Sequence, residues 1–164
     1  MKRYALTVAS ALIISVGSVP NARAQDTDSG LVGTWTLSIV DSDFGVAGVP
    51  DSVFMNIERA DEQLVMRRDL HFSQVGAPRS VTFDMPIDGG THDATTNDGA
   101  QEVRVSWDGD VLVMVTEVEA NVGMVEVIDR LRADDDGRTL IQERLMDVPS
   151  MGVMESTLVF LRDE

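Results

Sequence analysis

Apolar and polar residues alternate along most of the chain, and this alternation predicts β-strands. In residues 34–40, Trp35, Leu37 and Ile39 fall on one side while threonine and serine fall on the other. A period of two is that of a strand with one buried face. Eight further segments repeat the alternation between turn-forming residues: 53–57, 64–70, 81–85, 103–107, 111–118, 124–131, 139–146 and 155–162.

The turns predict how these strands connect. Asp108-Gly109 lies between two β-rich runs, and glycine accepts the positive φ that a tight hairpin turn requires. Short strands joined in sequence predict an all-β fold, an up-and-down antiparallel β-barrel of 8–10 strands, with a β-sandwich as the alternative. Residues 86–100 are expected to be irregular. A barrel of about eight strands encloses side chains or one small ligand.

The N-terminus has the order of segments found in a secretory signal peptide. Lys2 and Arg3 precede an apolar run over residues 5–16, and a small-x-small cleavage site ends at Ala24. No later segment is apolar for long enough to cross a membrane as a helix. The mature protein is therefore expected to be periplasmic or secreted, without a membrane span after cleavage.

These features divide the chain into three parts. Residues 1–24 form the predicted signal peptide, residues 25–30 a polar flexible arm, and residues 31–164 a single β-barrel domain. That length is sufficient to bury a core without covalent cross-links.

Charge and composition make some classes of binding partner less favourable. The chain has 13 cationic and 28 acidic residues, and the leader carries three of the cations and no acid, so the mature net charge is −18. Such a charge disfavours nucleic acid and anionic membranes as partners. The chain has no cysteine, which excludes disulfides and a lipid-modified cysteine.

Four short motifs carry a resemblance to a known family. They are residues 31–37 (Leu-Val-Gly-Thr-Trp-Thr-Leu), 42–44 (Ser-Asp-Phe), 107–112 (Trp-Asp-Gly-Asp-Val-Leu) and 136–140 (Asp-Gly-Arg-Thr-Leu). In this order they resemble secreted bacterial lipocalin-like proteins of the calycin type, whose functions are unassigned. The resemblance implies a barrel that closes over the tryptophan of the first strand, with Arg162 of the last strand packed on that ring.

Two arginines occupy positions of special interest. Arg68 shares a strand face with apolar residues, and Arg144 shares one with Leu140 and Met146. If these faces point inward, each buried cation needs a partner. A ligand carboxylate, an ion pair with Glu126, or extension of the side chain to water at a strand end would each suit. The predicted ligand-binding set is Trp35, Met66, Arg68, Phe83, Trp107, Met114 and Arg144.

The leading hypothesis is a barrel that binds a small hydrophobic or amphipathic molecule. Methionine adapts to varied apolar shapes, and eight of the nine methionines follow the leader. One alternative is a module with a filled barrel that binds proteins through loops 43–51 and 86–100. Another is an enzyme that uses His71 with Asp69 in the cavity. With only His71 and His92 in the chain, no metal site and no cofactor are predicted.

Overall fold

The described fold is built from antiparallel β-strands, seen in a computed structural model. The structure describes residues 30–61, 63–72, 79–86, 90–96, 99–120, 122–149 and 151–163, with the backbone alone at 79–86, 92–96 and 99–100. Its ten strands are β1 (Gly33–Asp43), β2 (Ser52–Ala60), β3 (Gln63–His71), β4 (Arg79–Pro86), β5 (Gly90–Thr96), β6 (Gly99–Asp108), β7 (Val111–Ala120), β8 (Gly123–Ala133), β9 (Thr139–Val148) and β10 (Gly152–Arg162).

The strands close into an up-and-down barrel. Each strand pairs antiparallel with the next one along the chain, and β1 also pairs with β10. The predicted all-β barrel is thereby confirmed, and the sandwich alternative is wrong because pairing between the first and last strands leaves one continuous sheet. Within the described ranges, no helix has the length and apolar character needed to cross a membrane. The predicted signal peptide and most of the arm lie outside the described residues.

Along the strands whose side chains the structure describes, alternate residues fill the barrel interior. On β2, Val53, Met55 and Ile57 are buried while their neighbours face outward, and on β3 Leu64 and Met66 are buried in the same way. Successive side chains of a strand point to opposite faces, so one apolar face is sufficient to form the core. The core continues around the described barrel with Leu37, Val103, Val105, Leu112, Met114, Leu131, Leu140 and Phe160.

The expectation of an irregular stretch over residues 86–100 is wrong. β5 crosses it and pairs with β4 and β6, from Gly90 opposite Val105 to Thr96 opposite Gly99. The strand reads Gly-Thr-His-Asp-Ala-Thr-Thr and has no apolar alternation to reveal it. Its structure is specified by its neighbours, which need a hydrogen-bonding partner on each side to close the barrel.

Residues 30–32 cover one end of the barrel, which we call the closed end. There Trp35 is 0% exposed, and its indole Nε1 donates a hydrogen bond of 2.9 Å to the carbonyl oxygen of Leu31. The guanidinium carbon of Arg162 lies 4.2 Å from the centroid of the Trp35 ring. Both the floor role of Trp35 and the expected stacking of Arg162 are therefore confirmed.

Arg162 also ties the chain segments of the closed end together. Its Nη1 donates to the carbonyl of Val32 at 2.8 Å and its Nη2 to that of Gly30 at 3.0 Å, while its Nε donates to the carbonyl of Gly137. Gly33 has a φ of +150°, and a Cβ at this position would overlap Arg162. The glycine of the Gly-Thr-Trp motif is thus required by the close approach of the arginine.

A bulge in β1 directs the chain over the opposite end of the barrel, which we call the open end. The register between β1 and β10 shifts between Ser38 and Asp43. Ser42 fills the gap, since its Oγ accepts a hydrogen bond from Val159 N at 2.9 Å and donates one to Ser38 O at 2.6 Å. Bulges of this kind bend a strand. The loop over residues 44–51 follows and lies against the open end.

Candidate functional site

The loop over residues 44–51 covers a cavity of about 80 Å³ at the open end. At roughly 30 Å³ per water molecule, this is the volume of two or three waters. Arg68, Arg144 and Ser156 supply polar groups to its lining. The apolar part of the lining includes Phe44, Pro50, Leu70, Phe72, Met146 and Leu158.

Arg68 is the most deeply buried cation of this site. It lies on β3 in phase with Leu64 and Met66, so the alternation of the strand turns it inward, and only 5% of the residue is exposed. Its Nη2 donates a hydrogen bond of 2.8 Å to Gln142 Oε1. Its Nε is buried and has no hydrogen-bond partner among the described residues. Such a buried, unpaired donor is unusual in a folded protein, which makes Arg68 a candidate functional residue.

Asp129 and Arg144 form a bidentate ion pair beside Arg68. The Nε and Nη2 of Arg144 donate to the two carboxylate oxygens of Asp129 at 2.7 and 2.8 Å. Gln142 connects this pair to Arg68, because its Nε2 donates to Asp129 Oδ1 at 2.7 Å while its Oε1 accepts from Arg68. The four side chains form one polar network, the interior network, on the inner faces of β3, β8 and β9.

The pKa shifts reflect this arrangement. Burial, together with the charge of Arg144, lowers the pKa of Arg68 to about 10, against a smaller opposing effect of Asp129. Burial alone would raise the pKa of Asp129, but the charge and hydrogen bonds of Arg144, with Arg68 and Gln142, hold it below 3.8. Burial opposes the charge of Arg144, yet Asp129 raises the pKa of that arginine. At neutral pH the interior network therefore carries two positive charges and one negative charge.

The ion pair with Glu126, one of the three alternatives for the buried arginines Arg68 and Arg144, is not formed. β8 buries Val125, Asp129 and Leu131, which places Glu126 on the outer surface. There its carboxylate lies 3.9 Å from Arg104 Nη2. A displacement of one residue exchanges the two faces of a strand, and the carboxylate that meets Arg144 is therefore Asp129.

The remaining residues of the predicted ligand-binding set lie at different depths. Trp35 closes the far end, and Met66 and Met114 are fully buried core residues. Trp107 packs on the core close to the closed end, with a buried Nε1 that has no partner among the described residues. The Cα of Phe83 pairs with that of Met66, and its side chain lies outside the described residues. Among the members of the set whose side chains the structure describes, Arg68 and Arg144 alone line the cavity described above.

His71 does not face the cavity, so the hypothesis of an enzyme that uses it there is wrong. Asp69 and His71 alternate with the inward-facing Arg68, and they point away from the interior. The Nδ1 of His71 lies 3.5 Å from a carboxylate oxygen of Asp51, and both side chains are nearly half exposed. Among the described residues, no group of three or more His, Cys, Asp or Glu could hold a metal ion.

Sequence reasoning missed the two central members of the interior network, Asp129 and Gln142. A signal was present on β8, where residues 125, 127 and 131 are Val, Val and Leu, so position 129 shares their inward phase. Gln142 shares the inward face of β9 with Arg144, but a neutral amide gives no reason to assign it a role from sequence. The part of loop 43–51 that covers the cavity, with Phe44 and Pro50, could not be placed from local sequence.

Comparison with solved structures identifies the fold. The zebrafish ileal bile acid-binding protein, solved with cholic acid, matches with a TM-score of 0.56 and 13% identity over 82% of this chain and 99% of its own. Rv2717c from M. tuberculosis matches with a TM-score of 0.51 and 16% identity over 87% and 99%. An S-type phycobiliprotein lyase, CPES from Guillardia theta, matches with a TM-score of 0.52 and 12% identity over 88% and 94%.

The chain has a lipocalin-like β-barrel fold of the calycin type, as its sequence motifs implied. No family model and no curated protein matches it. The structural neighbours include a binding protein and a lyase, so this fold supports more than one kind of function.

Proposed function

We propose that the protein is an exported carrier that holds a small apolar or amphipathic molecule in the open end of its barrel. The observation that carries the proposal is the cavity under loop 44–51, where apolar side chains surround a buried arginine with an unpaired Nε. Ligand sites are commonly concave and apolar, with a few polar groups that orient the ligand. The bile acid bound by the zebrafish neighbour is a ligand of this general class.

The size of the cavity limits how a ligand is held. A site for a drug-sized molecule has roughly 300–1,000 Å³, whereas this cavity has about 80 Å³. It therefore accepts one end of an amphipathic molecule. The remainder passes the mouth of the barrel beside loop 44–51, which must shift to admit it.

Export is the second part of the proposal, and it rests on the segment order of residues 1–24. The expected product is a mature chain that begins at Gln25 and is recovered from the periplasm or the medium. Intact-mass measurement of protein secreted by its natural host checks this. A full-length chain retained inside the cell would contradict export and leave the binding proposal untouched.

Exposed apolar residues favour a second candidate, a module that docks a protein partner. Val46, Val49, Val122 and Met151 are exposed and belong to the connections at the open end. Exposed apolar residues that form a contiguous patch often mark interaction sites. Under this alternative the loop at 43–51 contacts a protein, while much of the predicted loop at 86–100 is β5. This alternative would be favoured if one other protein co-purified with the chain in stoichiometric amount and no small molecule were bound.

The decisive experiment is extraction of protein purified from its natural host, followed by native mass spectrometry. The carrier proposal predicts a bound small molecule that is lost on denaturation. Ser156→Leu places a larger apolar side chain at the cavity wall and is expected to reduce the bound fraction. Thr157→Leu, on the outward face of the same strand, is the matched control. Equal occupancy in both variants, or no bound molecule in the wild type, would contradict the proposal.

A further inference from the structure

We propose that the ligand is an amphipathic monocarboxylate whose acid group binds Arg68, an inference that rests on the proposed carrier function. The site combines a deeply buried cation, an unused donor and a mainly apolar cavity wall beneath the loop of the open end. Each of these features selects one property of the ligand.

The unused donor selects an acceptor group. A guanidinium has five N–H donors in a planar fork, which matches a carboxylate in bidentate fashion. Gln142 Oε1 accepts from Nη2 of Arg68, and Nε has no partner among the described residues. Arg68 lines the cavity, and burial of an unsatisfied charged donor is costly. An anionic acceptor that enters the cavity and reaches this guanidinium, with a small shift of the side chain to present Nε, would remove the cost.

The neighbouring arginine is not available for the same role. Arg144 has its Nε and Nη2 on the two oxygens of Asp129. Gln142 is fixed as well, because it accepts from Arg68 and donates to Asp129. Arg144, Gln142 and Asp129 therefore act as positioning residues that orient Arg68, which makes the contact with the ligand.

The charge balance of the interior network selects a single negative charge. Two arginines face one carboxylate, so a monoanion brings the network to neutrality. A neutral ligand leaves Arg68 uncompensated, and a dianion leaves one negative charge in excess within a site of low polarity. We therefore expect the site to bind a monocarboxylate more tightly than an alcohol or a phosphate monoester with the same tail.

The lining selects an apolar tail that points to the open end. Leu70 and Phe72 follow Arg68 along the chain toward that end, and Phe44 and Leu158 belong to the same apolar lining. With about 80 Å³ available, the acid group occupies the cavity and the tail leaves it between these side chains.

Competition against a neutral fluorescent dye tests the inference. Nile red bound to the mature protein is displaced with dodecanoate, dodecanol or dodecyl phosphate at about pH 8, where a phosphate monoester is dianionic. We expect dodecanoate to bind about tenfold or more tightly than dodecanol, as charge-assisted hydrogen bonds allow. Dodecyl phosphate is expected to bind more weakly than dodecanoate.

Variants of Arg68 assign the preference to that side chain. Arg68→Met is expected to remove the advantage of dodecanoate while dodecanol binding changes less than about threefold, and Arg68→Lys is expected to restore part of it. Arg130→Met, on the outer face, is the control that keeps the wild-type preference. Thermal melts of each variant establish that it is folded.

The outcomes separate the two proposals. Equal affinity of dodecanoate and dodecanol in the wild type, or an unchanged preference in Arg68→Met, overturns the carboxylate inference and leaves the carrier function standing. Failure of the wild type to bind Nile red or any of the three dodecyl compounds overturns both. A wild-type preference that Arg68→Met abolishes and Arg130→Met retains supports the inference.

Discussion

Two arginines of the barrel differ in how much of their hydrogen-bonding capacity the fold uses. Arg162, at the closed end, donates to three backbone carbonyls and covers the Trp35 ring. Arg68 is more deeply buried, yet among the described residues it donates to Gln142 alone and keeps an unpaired Nε. The fold therefore gives every nitrogen of the Arg162 guanidinium an acceptor, whereas the Nε of Arg68 has none among the described residues.

This difference separates stability from function. Buried polar groups in folded proteins are nearly always paired, and exceptions concentrate at functional sites. Arg162 stabilises the packing of the chain segments around the closed end. Burial of the Arg68 charge with an unpaired Nε destabilises the free protein, and a bound anion can offset this destabilisation. That is the property expected of a residue that contacts a ligand.

The largest expected effect follows from Asp129, the carboxylate of the interior network. Asp129→Asn leaves Arg68 and Arg144 without a counter-charge, so we expect a loss of about 3–5 kcal/mol in the free energy of unfolding. Asp108→Asn removes the exposed partner of Arg130 and is expected to cost less than about 1 kcal/mol. Chemical denaturation measures both. Equal losses would contradict the assignment of a buried network.

Arg162→Met tests how much the contacts of Arg162 stabilise the closed end. Loss of its hydrogen bonds to three backbone carbonyls and of its stacking on Trp35 is expected to lower the free energy of unfolding by about 2–3 kcal/mol. Arg132→Met, at an exposed position on β8, is the control and is expected to have little effect. A stable Arg162→Met protein would remove the contrast between the two arginines.

The pH dependence of stability reports on Asp129 separately from Arg162. The pKa of Asp129 is lower in the folded state than its usual value of 3.8, so its contribution is present above that value and is lost as the pH falls through the folded pKa. The pKa of Arg68, about 10, leaves it charged at neutral pH. We expect the difference between wild type and Asp129→Asn to shrink on acidification below 3.8. A difference that stays constant in urea titrations at acidic pH would contradict the ion pair.

The smallest expected effect on stability belongs to Arg68→Met. The substitution removes an uncompensated buried cation but leaves Gln142 Oε1 without its donor, and the two effects oppose each other. The free energy of unfolding without ligand is therefore expected to change by no more than about 1 kcal/mol. A loss as large as that of Arg162→Met would show that the fold depends on both arginines alike.

Most of the fold could be predicted from the sequence because alternation and turn chemistry are local signals. Gly109 and Gly137 both adopt a φ of +66° in the tight connections that Asp-Gly pairs predict. β5 could not be predicted, because a polar strand is specified by the partners that flank it. The apolar segments are local signals, and they predict a number of strands that agrees with the structure. Closure of the strands into one barrel depends on every strand at once and has no local signal.

The site was predictable only in part, and the reason is register. The inward direction of Arg68 and Arg144 followed from the apolar residues that share their faces. The partner of Arg144 did not, because choosing Met124 as an inward residue of β8 shifted the strand by one position. Arg68 and Gln142 lie on strands far apart in the sequence and meet only because the barrel closes. No local sequence signal predicts such a contact.

The most direct test of the central claim is a carbon-13 NMR titration of carboxyl-labelled dodecanoate bound to the mature protein. If Arg68 binds the acid group, the bound carboxyl resonance of the wild type stays that of an ionised acid as the pH is lowered toward about 4, whereas that of Arg68→Met titrates like the free acid. A wild-type bound carboxyl that titrates like the free acid, or a bound carboxyl that stays ionised in Arg68→Met as it does in the wild type, would contradict the account.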